Sequence, residues 1–340
     1  MSSLKRAKIY SSKRLNLSSV LPLETPLSVE IDICSICNFA CKFCFQHDKE
    51  SLKKYAFKLK AMEYGLFTKL VDDICNFPQK PKKLKLFEFG EPLLNKNIGE
   101  MICYAKSVNC VEAVEITTNG SLLTPTTVDS IIDAGIDRIN ISIEAMNDSD
   151  YCEITGKNIK FSDIVSNVKY LYNNKKNCIV YVKIADINLS QTERERFYEV
   201  FQNISDEMYI EHISPIWRGT DSVGYINDDG IGSYGQVIKS DKKICTFLFT
   251  RLVINSDGEA VLCCVDWKSQ YIIGDAKKES LYNIWNGNAL KSLQLKHLNL
   301  NKDKIEICSN CNVYKTSTID DIDSGRESIL SRFERKDEVK

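Results

Sequence analysis

The strongest constraint on this chain is a group of three cysteines, Cys37, Cys41 and Cys44, which are separated by three residues and then by two. A short loop with this spacing brings the three sulfurs to one side, where they can hold one metal cluster. A four-iron cluster normally takes four cysteine ligands. A loop that supplies three of them leaves one iron with an open position for a small chelating molecule.

Other interpretations of this group stay open on spacing alone. Cys34 lies shortly before Cys37, so the four thiols could instead close a zinc or iron site. Free cysteines also pack as small hydrophobic residues. Disulfide bonds are disfavoured, because the chain has no secretory signal and its 14 cysteines are scattered.

The composition excludes several classes of partner. The 340 residues contain 45 Lys and Arg against 46 Asp and Glu, and no long run of basic residues stands out. Such a charge balance argues against nucleic acid or an anionic membrane as the main partner. The amino-terminal residues are polar and no apolar stretch reaches the length of a membrane span, so we expect a cytoplasmic protein.

Short apolar runs alternate with amphipathic stretches from residue 27 onward, which is typical of repeated strand-helix units and a parallel sheet. The sequence predicts an α/β fold with a partial (β/α)6 barrel and a small carboxyl-terminal domain made of a β-hairpin and a helix. The predicted strands are 27–33, 84–89, 113–117, 138–143, 179–185 and 208–213. The predicted helices are 67–77, 98–108, 126–134, 161–173 and 192–204.

Polar and glycine-containing segments follow the strands of this predicted sheet. They are residues 88–92, residues 118–120, and Ser142 with Glu144. A turn explains each segment taken singly. Ligand sites of parallel sheets lie at the carboxyl ends of the strands, however, so together these segments indicate a binding site.

A second set of cysteines follows a segment rich in Gly, Asp and Ser at about 219–236. Residues 252–255 and 260–263 flank Ser256-Asp257-Gly258 and predict a hairpin, and residues 281–296 predict a helix. Taken alone, four such thiols suit zinc as well as an iron-sulfur cluster. The predicted ligands are Cys245, Cys263, Cys308 and Cys311, with Cys264 as an alternative to Cys263.

The first cysteine group, with Phe43 just before its last cysteine, resembles the signature of the radical S-adenosylmethionine (radical SAM) enzymes. The resemblance implies that Cys37, Cys41 and Cys44 hold a [4Fe-4S] cluster that binds S-adenosylmethionine. Residues 89–92 resemble the glycine-glycine-glutamate-proline motif of that family, although Phe89 replaces the first glycine. The implied S-adenosylmethionine contacts are Phe43, Gly90, Glu91, Pro92, Asn119 and Ser142.

The second cysteine group resembles the SPASM and twitch domains of radical SAM enzymes. The absence of cysteines after Cys311 matches the form with a single auxiliary [4Fe-4S] cluster. The chain is predicted to divide into five parts. They are a lead-in (1–26), the barrel (27–218), a linker (219–244), the auxiliary domain (245–315) and a terminal helix with its tail (316–340).

The resemblance implies an oxidoreductase that cleaves S-adenosylmethionine reductively and removes hydrogen with a 5′-deoxyadenosyl radical. The combination of a radical SAM core with one auxiliary cluster resembles the 2-deoxy-scyllo-inosamine dehydrogenases. The expected reaction is therefore oxidation of a sugar or cyclitol alcohol. The candidates for the base that takes the hydroxyl proton are Glu211, His212 and Arg218. The implied partner is a one-electron donor such as flavodoxin or ferredoxin. A peptide-modifying SPASM enzyme and a zinc-binding module without catalysis remain alternatives.

Overall fold

A computed structural model describes residues 14–213, 216–217 and 230–338 of the chain. The described strands form one sheet in the order β6-β5-β4-β3-β2-β1-β7-β8-β9. From β6 to β7 all neighbours are parallel, and β8 is antiparallel to both of its neighbours, β7 and β9. The strands are β1 (Ser28–Ile31), β2 (Lys83–Lys85), β3 (Val114–Thr118), β4 (Arg138–Ile143), β5 (Ile179–Ala185), β6 (Glu207–Glu211), β7 (Arg251–Ile254), β8 (Glu259–Val261) and β9 (Ile272–Asp275).

Helices connect the parallel strands, as the alternating pattern predicts. Local sequence fixes several helix starts: Thr124 caps the helix that begins at Pro125, and Ser190 forms a capping box with Glu193. The helices are α1 (Leu17–Val20), α2 (Lys49–Lys54), α3 (Tyr64–Ile74), α4 (Ile98–Val108), α5 (Pro125–Asp133), α6 (Asp148–Thr155), α7 (Phe161–Asn174), α8 (Gln191–Phe201), α9 (Leu281–Trp285), α10 (Asn288–Leu298), α11 (Glu306–Ser309), α12 (Val313–Thr316) and α13 (Arg326–Glu338).

The predicted α/β fold with an open, partial barrel is confirmed. Strands β6 and β9 form the edges of the described sheet, so the sheet does not close. Apolar side chains on the outer face of the strands, such as Val29, Ile139 and Val182, are fully buried beneath the helices. The inner face is polar instead, because residues that alternate with these point into the barrel.

The carboxyl-terminal hairpin continues the barrel sheet. Strand β7 pairs in parallel with β1, with Ser28 opposite Arg251 and Ile31 opposite Ile254. A strand pattern cannot reveal such a pairing, because it contains no information about which distant strand becomes the neighbour. The contact places the second cysteine group beside the first strand of the barrel.

Several predicted bounds are shifted by up to three residues, as for α3 (predicted at 67–77) and α8 (predicted at 192–204), and two further elements differ more. The helix predicted at 281–296 is two helices, because Gly287 adopts an extended conformation as the N-cap of α10 and interrupts the first helix. Strand β2 ends at Lys85 instead of continuing to residue 89, since the chain then turns toward the cysteine loop, where the Phe89 amide donates to Asp32 at 3.2 Å.

The terminal helix is present as α13. Among the helices described, none combines the length and the hydropathy that a membrane crossing requires.

Candidate active site

The loop with the first three cysteines directly follows β1 and is fixed by contacts with α6 and β3. The Ala40 and Lys42 amides donate to the carbonyls of Thr155 and Ile154, each at 2.9 Å. The Asn38 side chain donates to Ser121 at 2.9 Å and accepts from Asn119 at 2.9 Å. The loop is therefore held in shape by the protein itself.

The three thiols of this loop lie close enough to influence one another electrostatically. Burial is the main reason that the pKa of Cys37 is raised to about 11 and that of Cys44 to about 12, and burial also raises the pKa of Cys41. Neighbouring thiols add to the shifts of Cys41 and Cys44. Without a cation these sulfurs are protonated, whereas iron would replace the protons and favour the thiolates. The donor set therefore fits a metal cluster.

Cys34 makes local bonds of its own, although it lies near enough to add to the raised pKa of Cys37. Its thiol is directed to the carbonyl of Ile36 at 3.7 Å, and its backbone forms a bridge with Ala61. The side chain is 2% exposed. This arrangement agrees with a structural thiol.

The segment after β2 passes unusually close to the cysteine loop at Gly90. A Cβ atom at this position would lie 2.4 Å from the Cys34 oxygen, 2.5 Å from the Ile36 oxygen and 2.6 Å from the Ser35 carbonyl carbon. The amide of the next residue, Glu91, donates to the Ile36 oxygen at 2.8 Å. Only glycine fits here, so the second glycine of the family motif is required by close backbone approach.

The carboxylate of Glu91 braces the neighbouring strand end. It accepts hydrogen bonds from the Thr118 hydroxyl at 2.7 Å, the Asn119 amide at 2.9 Å and the Leu93 amide at 3.1 Å. Burial raises its pKa to about 7. Both oxygens of Glu91 are therefore used within the protein, and Pro92 is buried at the start of a short helix.

A cavity of about 190 Å³ opens between the cysteine loop and the ends of β4, β5 and β6. Phe43 and Ser142, both predicted to contact S-adenosylmethionine, line it. Glu144 also lines it, and burial raises the pKa of this carboxyl to about 7. The remaining lining residues are Ile143, Lys183, Ala185, Glu211, His212, Ile213, Ile216, Trp217 and Ser233.

A larger cavity, of about 620 Å³, occupies the inside of the barrel. Its walls combine charged pairs with aromatic rings: Lys83 bonds Glu115 at 2.8 Å, and Arg138 bonds Glu207 at 2.6 Å and lies over the Tyr181 ring. A closed barrel of this type is normally filled by bulky branched side chains. This interior suits a polar ligand.

Two side chains join the two cavities. Among the described residues, Lys183 and Glu211 alone line both of them. Their charged groups are 2.9 Å apart, and the Tyr181 hydroxyl donates to Glu211 at 3.4 Å. A molecule inside the barrel would meet a molecule in the smaller cavity at this pair.

The structure separates the three predicted base candidates. Glu211 lies at the junction of the cavities. His212 lines only the smaller cavity, and its Nδ1 lies 2.7 Å from the Asp186 carboxylate. Arg218 lies outside the described residues. Lys183 is absent from the predicted site, although a lysine in the apolar run of β5 is the signal that could have identified it.

The second cysteine group is assembled from distant parts of the chain. Cys245, Cys308 and Cys311 influence one another electrostatically, and Cys263 is influenced by Cys308 and Cys311. Burial is the largest cause of the raised pKa values of Cys245, Cys263 and Cys308, and that of Cys245 is about 12. Four thiols brought together in this way fit a cluster whose irons are all bound by protein.

The neighbouring Cys264 faces away from this group. Its sulfur lies 3.8 Å from the Arg251 guanidinium, and within 4.8 Å of carboxylate oxygens of Glu30 and Glu88. Arg251 and Lys85 also contact Glu30, at 3.8 and 2.6 Å. The structure thus places Cys263 with the other three thiols and Cys264 in the polar wall of the barrel.

Comparison with known proteins agrees with this geometry. Residues 31–196 match the radical SAM superfamily, and residues 245–312 match the SPASM iron-sulfur cluster-binding domain. The chain belongs to the radical SAM superfamily. As a radical SAM enzyme with a SPASM domain, it uses S-adenosylmethionine, a [4Fe-4S] cluster that binds it and an auxiliary [4Fe-4S] cluster.

Individual relatives of this radical SAM enzyme differ in their named functions. GTP 3′,8-cyclase of Staphylococcus saprophyticus is 26% identical over 267 residues, which are 69% of this chain and 77% of the cyclase. Crystalline BtrN in complex with AdoMet and 2-DOIA is similar with a TM-score of 0.53 and 16% identity, over 87% of this chain and 96% of BtrN. Streptococcus suis SuiB bound to S-adenosylmethionine has a TM-score of 0.65 and 15% identity, over 88% of this chain and 74% of SuiB. At these identities the two structures support the fold alone.

Proposed function

We propose that this radical SAM enzyme oxidises an alcohol of a polar small molecule, such as a sugar or cyclitol, to a carbonyl. The observation that carries the proposal is the charged cavity inside the barrel, which meets the smaller cavity at Lys183 and Glu211. The co-crystallisation of BtrN with AdoMet and 2-DOIA supports a small-molecule substrate for a chain of similar fold.

The two cysteine groups divide the roles in this proposal. Cys37, Cys41 and Cys44 would hold the cluster that binds S-adenosylmethionine, and Cys245, Cys263, Cys308 and Cys311 would hold the auxiliary cluster. When bound, these groups supply a 5′-deoxyadenosyl radical that removes a hydrogen atom, and an acceptor for one electron.

The side chains at the junction would control the substrate oxygen. The charged Lys183 ammonium can donate a hydrogen bond to a hydroxyl or carbonyl oxygen. The Glu211 carboxylate, 2.9 Å away, can accept the hydroxyl proton. Oxidation of the alcohol carbon removes one hydrogen atom, one proton and one electron, and the proton is the part that Glu211 would take.

The walls of the barrel cavity favour a ligand with several polar groups of mixed character. Glu115 and Glu207 can accept hydrogen bonds from hydroxyl or ammonium groups. The rings of Phe87, Tyr181 and Tyr234 provide flat apolar surface. An amino sugar or aminocyclitol offers this combination of hydroxyls, ammonium groups and apolar ring faces.

A second candidate is a reaction on a purine nucleotide. The GTP 3′,8-cyclases are similar over 69% of the chain, and cationic side chains line the barrel cavity. Three of these cations are already paired, however: Lys83 with Glu115, Lys85 with Glu30 and Arg138 with Glu207. A triphosphate would bring several negative charges beside these carboxylates and would have to displace them from the cations. Hydroxyl groups and a single ammonium group would not, so the neutral or aminated ring compound is favoured.

The test is an anaerobic assay of the reconstituted enzyme with dithionite, S-adenosylmethionine and a panel of amino sugars, cyclitols, sugar nucleotides, GTP and short peptides. We expect one ring alcohol to give a carbonyl product together with 5′-deoxyadenosine. Glu211→Gln should lower carbonyl formation by about 10²-fold or more, because the proton acceptor is lost. Glu199→Gln, which changes an exposed carboxylate on α8 outside both cavities, is the control and should retain turnover. Consumption of GTP or of a peptide, with no alcohol oxidised, would refute the proposal.

A further inference from the structure

A cationic surface surrounds Tyr55, where the segment after the first cysteine group meets the loop after Cys263. We call it the Tyr55 surface. Lys53 and Lys54 come from α2, and Lys268 comes from the auxiliary region. It also includes Lys58, and Lys60, which shares the Asp257 carboxylate with Lys58.

Two lysines of this surface lie close to the ring of Tyr55. The Lys268 ammonium lies 4.1 Å from the ring centroid and the Lys54 ammonium 5.3 Å from it. The hydrogen bond from Lys268 is the main reason that the pKa of the Tyr55 hydroxyl is lowered, and the charges of Lys268 and Lys54 add to it. The lowered pKa reports a positive potential at the protein surface.

Carboxylates offset this potential only in part. Asp257 bonds Lys58 at 2.7 Å and Lys60 at 2.9 Å, and Glu50 lies 3.7 Å from Lys53. Asp48 is buried as the N-cap of α2, Glu259 lies near Lys58, and the buried Asp266 lies near Lys268. No ion pair within the described part of the chain involves Lys54 or Lys268. The surface therefore carries an excess of positive charge in a chain whose formal charge is -1.

Aromatic rings connect this surface to the first cysteine group. Tyr55 meets Trp267 edge to face with ring centroids 5.8 Å apart. Trp267 stacks on Phe45 with centroids 4.7 Å apart and an angle of 20°. Phe45 directly follows Cys44 and is buried. A continuous packed path thus runs from the exposed lysines to the thiol of Cys44.

We propose that the Tyr55 surface docks a small acidic protein that carries one electron to the cluster. Complementary charge accelerates encounter without requiring a large interface, which suits a transient electron-transfer complex. An aromatic residue ringed by polar groups is typical of the centre of a protein contact. The packed rings below it place this surface beside the cluster that must receive the electron. This proposal does not depend on the identity of the substrate.

The test compares two reductants that drive the same S-adenosylmethionine cleavage. Reduced flavodoxin, an acidic protein, requires a docking surface, whereas dithionite is a small inorganic anion that does not. For the variant K53E/K54E/K268E we expect the apparent second-order rate constant with flavodoxin to fall by 10-fold or more. The rate should also lose most of its dependence on salt concentration. 5′-Deoxyadenosine formation with dithionite should stay unchanged.

The matched control reverses three exposed lysines elsewhere on the surface, K80E/K169E/K176E, and so changes the net charge equally. This control should keep most of the flavodoxin-driven rate. An equal loss in both variants would show that net charge alone is responsible and would overturn the proposal. An unchanged flavodoxin rate in K53E/K54E/K268E would overturn it as well, and so would an equal loss with flavodoxin and dithionite, because the lysines would then support the active site itself.

Discussion

Replacing Gly90 with alanine tests whether close backbone contact positions the cysteine loop. The added methyl group would lie 2.4 to 2.6 Å from three backbone atoms of residues 34–36. Ordinary contacts of a Cβ atom begin at 3.4 Å, so the two segments must separate by about 1 Å. None of the three atoms belongs to a flexible side chain that could turn aside.

The cost of this separation follows from the packing around it. Overpacking a rigid site typically destabilises a protein by about 1–3 kcal/mol, and three backbone contacts place Gly90→Ala near the upper end, at about 3 kcal/mol. The bond from the Glu91 amide to the Ile36 oxygen, now 2.8 Å, would lengthen with the shift. A displacement of about 1 Å at a reacting centre can lower the rate by about 10²-fold.

The assay measures three quantities on anaerobically prepared protein: iron content, the free energy of unfolding, and 5′-deoxyadenosine formation with dithionite. Gly90→Ala should lower all three. Gly65→Ala is the matched control, because a Cβ at this exposed position in α3 meets nothing within 4 Å. It should stabilise the protein by about 0.5–1 kcal/mol through helix propensity. If Gly90→Ala retained wild-type iron and cleavage, the reasoning from backbone approach would be wrong.

Three further predictions concern the thiols and one buried histidine. Cys41→Ala should abolish S-adenosylmethionine cleavage and lower the iron content by about half, whereas Cys34→Ala should keep both, measured by iron analysis and 5′-deoxyadenosine formation. Cys263→Ser should remove the signal of the auxiliary cluster in electron paramagnetic resonance, but Cys264→Ser should preserve it, because its thiol faces Arg251; the reverse result would exchange their roles. Burial, with a contribution from Lys302, lowers the pKa of His297 to about 4. A lowered pKa in the folded state means that the stability contributed by His297 is lost as the pH falls below the ordinary pKa of 6.5, and this contribution changes by about 2 kcal/mol between pH 7 and pH 5. The free energy of unfolding of wild type relative to His297→Leu should therefore fall by this amount between pH 7 and pH 5, and a constant difference between the two proteins would contradict the assignment.

The parts of the fold that follow from local sequence were predicted well. Strands β4 and β5 have the predicted bounds, and so does helix α4, because each is a long run with a single clear periodicity. The three-cysteine spacing and the second cysteine set also identified the family, since cluster binding depends on thiols at short separations. Elements with weak periodicity were missed or merged, as in the division of the helix predicted at 281–296 at Gly287.

Functional details that depend on distant neighbours were not accessible in this way. Spacing favoured Cys263 and left Cys264 as an alternative, and their separation results from β7 pairing beside β1, which turns one thiol to the other three and the next to Arg251. The sequence similarly placed Glu211 at a strand end but did not reveal its partner Lys183 on β5.

The sequence by itself determined the family, the cofactors and the order of strands and helices, because these depend on residue types at short and regular separations. Only the tertiary structure decided which side chains share a cavity. Lys183 and Glu211 meet because β5 and β6 pair in one register, and the lysines around Tyr55 meet because two loops more than two hundred residues apart pack against the same rings. Such contacts are fixed by the packing of the whole chain, and no local pattern encodes them.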